Sequence, residues 1–348
     1  MAVNGKKKLL PSIKDFTEEE LQAQLGQAGE KAYRSQQIFS WLYQHGVSDF
    51  SLMKNLPLTL REKLASSYRL SPPSVISTQK SRDGAEKYLF RLEDGCLVEA
   101  VLIPARHRQT VCVSTQVGCR YRCAFCASGQ MGFIRNLSPG EMVDQVLYPN
   151  FVRGVRVSHI VFMGMGEPFD NFDALVKAIQ IINHPSGLNI GSRKITVSTA
   201  GHIPGIEKFS QSGWQVELAI SLHSVEEETR SKLMPINRIY PVKELLAVCR
   251  RYTRETGRLI TFEYVLLRGI NDAPEQARAL GKAARWVGAK INLIPCSRFP
   301  DSPWQPPERK TIQEFVKEVE SQGVVCTLRR SRGKDIQAAC GQLAGRNV

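Results

Sequence analysis

From residue 110 onward, short apolar runs alternate with longer amphipathic or loop segments about six times, and this alternation restricts the possible folds more than any other feature. The candidate strands are 110–114, 158–163, 194–198, 216–221, 259–266 and 290–294. The segments between them are long enough for crossover helices, which parallel strands require and antiparallel hairpins do not. Two of those helices read directly, at 142–147 after Pro139-Gly140-Glu141 and at 244–252, while 301–307 reads as an irregular loop. The expected fold class is α/β with a mostly parallel sheet.

The front of the chain has a different period. Residues 12–25, 35–45 and 58–67 carry apolar side chains at helical spacing, interrupted at Pro57 and at the 46–50 turn. Alternating runs follow at 75–79, 87–92 and 98–104, with Asp83-Gly84 and Asp94-Gly95 as turn signals. The expected organisation is a helical domain over 1–72, antiparallel linking strands over 73–108, and an α/β domain over 109–348. A length of 348 residues suits about two domains. With 42% hydrophobic and 23% charged residues, the chain is neither disordered nor fibrous in composition.

Lys and Arg total 47 against 33 Asp and Glu, a net charge of +14 that favours an anionic partner such as nucleic acid. No apolar run approaches the roughly 20 residues of a membrane span, and residues 1–11 lack the apolar stretch of a secretory signal. A cytoplasmic protein without a membrane partner is expected.

Parallel sheets carry their working groups at the carboxyl ends of strands, and Gly166-Glu167-Pro168, Ser198, Ser221-Leu222-His223 and Ser297 fall there. Nine cysteines are an odd and sparse set for a disulfide framework. Three of them, Cys119, Cys123 and Cys126, lie within eight residues in a loop after a candidate strand. Three soft thiolates suit zinc or an iron–sulfur cluster. Structural zinc normally needs a fourth ligand, which a distant cysteine can supply. A cubane on three cysteines keeps one iron open to another ligand.

This CxxxCxxC spacing, with Phe125 between the second and third cysteines, resembles the radical S-adenosylmethionine superfamily. The resemblance implies a partial (β/α)6 barrel, with the small N-terminal helical region as an accessory domain. It also implies one [4Fe-4S] cluster on Cys119, Cys123 and Cys126, whose open iron chelates S-adenosylmethionine and cleaves it to a 5′-deoxyadenosyl radical. The segments 112–119, 132–137, 164–168, 234–237 and 335–343, together with 33–39 and 55–57 at the front, resemble the bacterial rRNA adenine-C2 methyltransferases and their relatives.

That narrower resemblance implies that Cys340 accepts a methyl group from one S-adenosylmethionine. The radical from a second then takes a hydrogen from the S-methyl group. The methylene radical adds to adenine C2, Glu99 serves as the base, and a disulfide between Cys340 and Cys112 releases the product. Gly166 and Glu167 would meet the methionine amino group, and Ser198, Ser221, Leu222 and His223 would line the rest of the cofactor. Ser297 stands where the family usually has asparagine, a shorter donor and acceptor. Further implications are 23S rRNA and tRNA as substrates, flavodoxin or ferredoxin as electron donor, and a monomer.

Arg106, Arg108, the 329–332 run and Lys6 to Lys8 are candidate phosphate contacts. Cys96, Cys249, Cys296 and Cys326 carry no catalytic context. The rival expectations are methylation of the same adenine at C8, an RNA-binding protein with a structural metal, and a radical enzyme acting on a small metabolite.

Overall fold

The computed structural model describes residues 10–297, 303–329 and 331–345. Lys6 to Lys8, Arg330 and the first part of the 301–307 loop lie outside the described residues, while 303–307 carry no regular structure. Two compact units are present.

The first unit gathers the chain up to Pro73 with Ser138–Val155 and Asp173–Ile190. It holds α1 (Glu18–Gln27), α2 (Tyr33–Tyr43) and α3 (Leu58–Ser67). Helix α1 begins later than the expected residue 12 because Thr17 and Glu20 form a capping box: the Thr17 hydroxyl accepts the Glu20 N–H at 3.3 Å and the Glu20 carboxylate accepts the Thr17 N–H at 3.1 Å. Residues Ile13–Asp15 form a 3-10 turn instead. Leu21, Leu25, Ile38, Phe39, Leu42, Leu60 and Leu64 are buried. Lys14 and Asp144 form a buried ion pair in the same unit.

The second unit carries the sheets. Its leading strands are β1 (Ser74–Lys80), β2 (Glu86–Arg91), β3 (Leu97–Ala105) and β4 (Arg108–Cys112). A small antiparallel pair follows, β5 (Gln116–Gly118) and β6 (Phe133–Asn136), with the one-turn α4 (Ala127–Gln130) between them. In chain order come α5 (Pro139–Leu147), β7 (His159–Phe162), α6 (Phe172–Asn183), β8 (Ile195–Thr199), α7 (Ile203–Ser210), β9 (Glu217–Ser221), α8 (Glu227–Leu233) and α9 (Val242–Thr256). The last elements are β10 (Ile260–Leu266), α10 (Pro274–Val287), β11 (Ala289–Pro295), α11 (Arg309–Glu320) and β12 (Cys326–Leu328). Helix α5 and most of α6 belong to the first compact unit.

The main sheet has ten strands in the order β1-β2-β3-β4-β7-β8-β9-β10-β11-β12. Pairs β1·β2, β2·β3 and β3·β4 are antiparallel, and every pair from β4·β7 to β11·β12 is parallel. The parallel strands read as near-continuous apolar runs; Ile260, Phe262, Tyr264 and Leu266 on β10 are all buried.

The sheet cannot be flat. Strands β2 and β12 are eight positions apart, which at about 4.8 Å per strand is roughly 38 Å. Yet Gly333, five residues beyond the end of β12, donates its N–H to Asp83 in the turn leading to β2 at 2.8 Å. Five residues span at most about 18 Å. The sheet therefore curls round until its two ends approach, the partial barrel that the sequence led us to expect.

Candidate active site

The three clustered cysteines occupy the loop that leaves β5 and enters α4. Gly118 starts it at φ +74°, where a Cβ would stand 1.8 Å from the Gly132 carbonyl oxygen, so glycine is required. The Tyr121 hydroxyl donates to Asp170 at 2.9 Å and Arg120 pairs with the same carboxylate at 3.0 Å. The Ala124 N–H donates to the Leu233 carbonyl at 2.9 Å, and the Trp304 indole donates to the Ala124 carbonyl at 2.9 Å. Around the loop lies an apolar shell of Tyr121, Leu233, Met234, Ile236, Leu267 and Cys296, against which Cys119, Cys123 and Phe125 pack. Phe125 meets His223 edge-on at 4.7 Å.

Burial pushes the Cys119 thiol up to about 12 and Cys123 well above its ordinary value, so metal binding here would release protons. Among the described residues, the set whose ligand atoms all lie within 4.8 Å of one another is Glu18, Glu19 and His184, not the three cysteines. Tetrahedral zinc at ordinary Zn–S lengths holds its sulfurs about 3.8 Å apart. Three sulfur donors on one loop, packed against an apolar shell, with no fourth ligand from that loop, fit a cluster that keeps one corner open.

The carboxyl ends of the parallel strands converge beside this loop. A Cβ on Gly164 would lie 2.5 Å from the Ser114 hydroxyl, and one on Gly166, at φ +99°, 2.6 Å from Gln116. These glycines let the end of β7 lie directly on the Val113–Gln116 segment. Gln116 accepts the Glu167 N–H at 2.9 Å and donates to Asn136 at 2.8 Å. Glu167 is buried, and its two oxygens accept N–H groups from Phe169 at 3.1 Å and Ala200 at 2.7 Å. Burial raises its carboxyl to about 7 against these hydrogen bonds. The Thr199 side chain adds a third hydrogen bond to this carboxylate.

Ser198 and Ser221, at the ends of β8 and β9, place their hydroxyls 3.5 Å apart. Leu222 is fully buried and donates its N–H to the Glu263 backbone carbonyl at 3.0 Å. His223 adopts φ +58°, and its Nδ1 accepts the Val265 N–H at 3.0 Å. The Ser297 hydroxyl and one carboxylate oxygen of Glu263 on β10 are buried without a hydrogen-bond partner. Orphaned buried polar atoms, one within β10 and one just beyond β11, fit a site that takes a polar cosubstrate.

The last described segment closes over these groups. The Gly341 carbonyl accepts the Ala127 N–H at 2.7 Å and the Leu343 carbonyl accepts the Ser128 hydroxyl at 2.6 Å, laying the Cys340 arm on the cysteine loop. Cys340 is exposed as a residue, while the surrounding protein holds its thiol above the ordinary range, with the Arg329 guanidinium opposing. Buried Cys112, at the end of β4, is pushed up to about 12 by burial and by the neighbouring Cys340 thiol. Cys112, Cys340, Cys126, Glu263 and Arg329 thus share one electrostatic neighbourhood. All nine cysteines are free, so no disulfide joins Cys112 to Cys340 in this state.

Glu99 on β3 is 2% exposed. One carboxylate oxygen lies 2.9 Å from the Lys87 ammonium, and the other accepts the N–H groups of Ala344 at 2.6 Å and Gly345 at 3.0 Å.

Sequence reasoning did not reach Arg230. This fully buried guanidinium donates to the Leu222 carbonyl at 3.0 Å, Asn237 at 2.9 Å, the Ala200 carbonyl at 2.7 Å and the Ser221 carbonyl at 3.3 Å. It ties the ends of β8 and β9 together beneath Ser221 and His223. The available signal was its place four residues before the Met234-Pro235-Ile236-Asn237 motif. Asp170, Gln116 and Lys87 were likewise missed as supports.

This barrel, with three cysteines after its first strands, matches the Radical SAM superfamily model over residues 113–280, which defines its class. The front helices match the ribosomal RNA large subunit methyltransferase N-terminal domain over residues 12–70. The chain is 47% identical over 337 residues to the probable dual-specificity RNA methyltransferase RlmN of Geobacillus kaustophilus, covering 96% of this chain and 92% of that one. It is 41% identical over 350 residues to the dual-specificity RNA methyltransferase RlmN of Nitratiruptor sp., covering 96% and 98%. A crystal structure of a radical SAM methyltransferase from Sphaerobacter thermophilus superposes with a TM-score of 0.92 at 43% identity, covering 97% of this chain and all of that one. The chain belongs to the RlmN family of radical SAM methyltransferases.

Proposed function

We propose that this enzyme methylates C2 of an adenine in 23S rRNA and in tRNA, with Cys340 carrying the methyl group and Cys112 resolving a protein–RNA adduct. The observation that carries this reading is the common neighbourhood of Cys112 and Cys340 against the Cys119–Cys126 loop. Two redox-competent thiols outside the cluster ligands, one buried and one on an exposed residue, match a reaction that needs a carrier and a resolver. The relatives named as dual-specificity RNA methyltransferases support both RNA classes.

Cys119, Cys123 and Cys126 hold a [4Fe-4S] cluster that, when bound, supplies the electron for cleaving S-adenosylmethionine. Gly166 lets the chain approach the methionine end closely, and Glu167 offers it a carboxylate. Ser198, Ser221 and Ser297 present hydroxyls to its polar groups, while Leu222 and His223 complete the wall. The Cys340 thiolate takes a methyl group from one S-adenosylmethionine as a thioether, leaving S-adenosylhomocysteine. The 5′-deoxyadenosyl radical from a second removes one hydrogen atom from that methyl group, and the resulting methylene radical forms a carbon–carbon bond to adenine C2. The unpaired electron of the adduct would pass back to the group held by the three cysteines, and Glu99 receives the ring proton from C2. The Cys112 thiolate then attacks the Cys340 sulfur to form a disulfide, and the breaking carbon–sulfur bond leaves its electron pair on the exocyclic carbon, which takes up a proton and becomes the methyl group. The net charge of +14 suits a polyanionic substrate. Among the described residues no helix is long and apolar enough to cross a membrane, and we place the enzyme in the cytoplasm as a monomer reduced by flavodoxin or ferredoxin.

Anaerobically reconstituted enzyme, incubated with rRNA and tRNA, should yield 2-methyladenosine in both by nucleoside mass analysis. Cys340→Ala should lower the yield by about 10³-fold or more and form no adduct, while Cys112→Ala should accumulate the covalent adduct. Product methylated at C8 would move the reading to that position, and no methylated adenosine in either RNA would refute it.

A further inference from the structure

The bracket around the Cys340 arm contains a residue to which nothing above assigns a role in the reaction. Lys87 lies on β2, is 5% exposed, and points its ammonium at two groups. One is the Glu99 carboxylate at 2.9 Å. The other is the Gln337 carbonyl at 3.4 Å, three residues before Cys340. Glu99 in turn holds Ala344 and Gly345, four and five residues after Cys340. One buried ion pair therefore grips the arm on both sides of its reactive thiol.

On the carboxyl side of Cys340 the arm is also tied to α4 through the Gly341 and Leu343 carbonyls, whereas on the amino side the side chain that reaches it from β2 is Lys87. Gln337 at φ +51° and Gly341 at φ +80° place left-handed turns on either side of Cys340. Gln342 accepts the Ala339 N–H at 2.9 Å, so the loop is compact, but it contains no helix or strand. A backbone of this kind takes its position from what its ends are tied to.

We propose that Lys87 is a positioning residue for methyl transfer, fixing Cys340 against Cys112 and the incoming base by joining Glu99 to the Gln337 carbonyl. This rests on Cys340 being the methyl carrier. The partners of its ammonium, Glu99 and the Gln337 carbonyl, hold the Cys340 arm, so its loss should change where the thiol stands before it changes cleavage of S-adenosylmethionine. A misplacement of about 1 Å costs a reaction of this kind up to about 10²-fold. Without Lys87 the Glu99 carboxylate also loses its buried counter-ion, which weakens its hold on Ala344 and Gly345.

The test compares the reconstituted enzyme with Lys87→Met and Lys87→Arg. Three quantities are read: 5′-deoxyadenosine formed, methylated adenosine formed, and hydrogen exchange of the 337–345 amides. Lys87→Met should keep 5′-deoxyadenosine formation while lowering methylated product per cleaved cofactor by about tenfold or more. Exchange at 339–345 should quicken. Lys87→Arg, which retains a charged donor, should recover most of the coupling. Should Lys87→Met not fold, Lys87→Gln carries the same test, since it keeps a polar donor but cannot neutralise Glu99. Unchanged coupling, or a loss of cleavage and methylation in equal proportion, would overturn the proposal. If the unaltered enzyme makes no methylated adenosine, the carrier reading itself falls, and arm exchange still reports whether Lys87 grips the loop.

Discussion

His223 shows how burial determines what a titratable side chain can do. Its Nδ1 accepts the Val265 N–H, which leaves the proton on Nε2. Burial, with the Arg230 guanidinium second, depresses its value to about 3 from 6.5. The sign follows: below about pH 6.5 the unfolded chain takes up a proton that the folded chain refuses, so stability falls as pH falls through that window. Between pH 7.5 and 5.0 this residue should account for about 2 kcal/mol of lost stability. Urea unfolding of the protein and of His223→Asn, whose side chain tolerates the left-handed backbone, should show that loss in the first and not the second; equal losses would mean that His223 is not the group responsible. At the residue level, spacing alone singled out Cys119, Cys123 and Cys126, which share one loop between β5 and α4. It missed Arg230 and Lys87 because both are long basic side chains whose ordinary place is the surface, and only the fold shows which carbonyls and carboxylates surround them.

At the scale of elements, the parallel strands were legible because each is a continuous apolar run bounded by turn residues. The stretch 290–294 falls within Ala289–Pro295, and 259–266 extends Ile260–Leu266 by one residue. Strands β5, β6 and β12 were not legible, being three or four residues long and defined by their partners. The helix starts at Thr17 and Ser138 were written in their capping boxes, and reading periodicity alone misplaced the first by several residues. The contact between the end of β7 and the Val113–Gln116 segment depends on missing side chains. Gly164→Ala would press a methyl group into Ser114 and the Val113 carbonyl carbon, at 2.5 to 2.8 Å, and should cost about 1–3 kcal/mol by thermal or urea unfolding. S-adenosylmethionine affinity should weaken with it, because Gln116 and Glu167 move apart. Gly191→Ala, with open space around the site, should stay within about 0.5 kcal/mol. If the two substitutions cost the same, close approach is not the reason for the glycine at 164.

At the scale of the whole chain, the sequence divided front helices from barrel, while the structure groups α5 and most of α6 with the front helices. No local pattern could have shown that, since an amphipathic helix records that it has an apolar face and not what covers it. The return of the chain from β12 to the opposite end of the sheet was also unreadable. It joins segments more than two hundred residues apart, Asp83 with Gly333 and Ser81 with Asp335. The arm that bears Cys340 is thus a line tied on both sides, to the Ser81–Asp83 turn before the thiol and to Glu99 after it. Two or three glycines inserted between Ala338 and Ala339 would leave every strand and these outer anchors chemically intact and add only slack, up to about 10 Å of it. Such an insertion should leave unfolding and 5′-deoxyadenosine formation unchanged while methylated adenosine declines with each added residue. Rate would then be set by a length of cord, a quantity that no single side chain in the site carries.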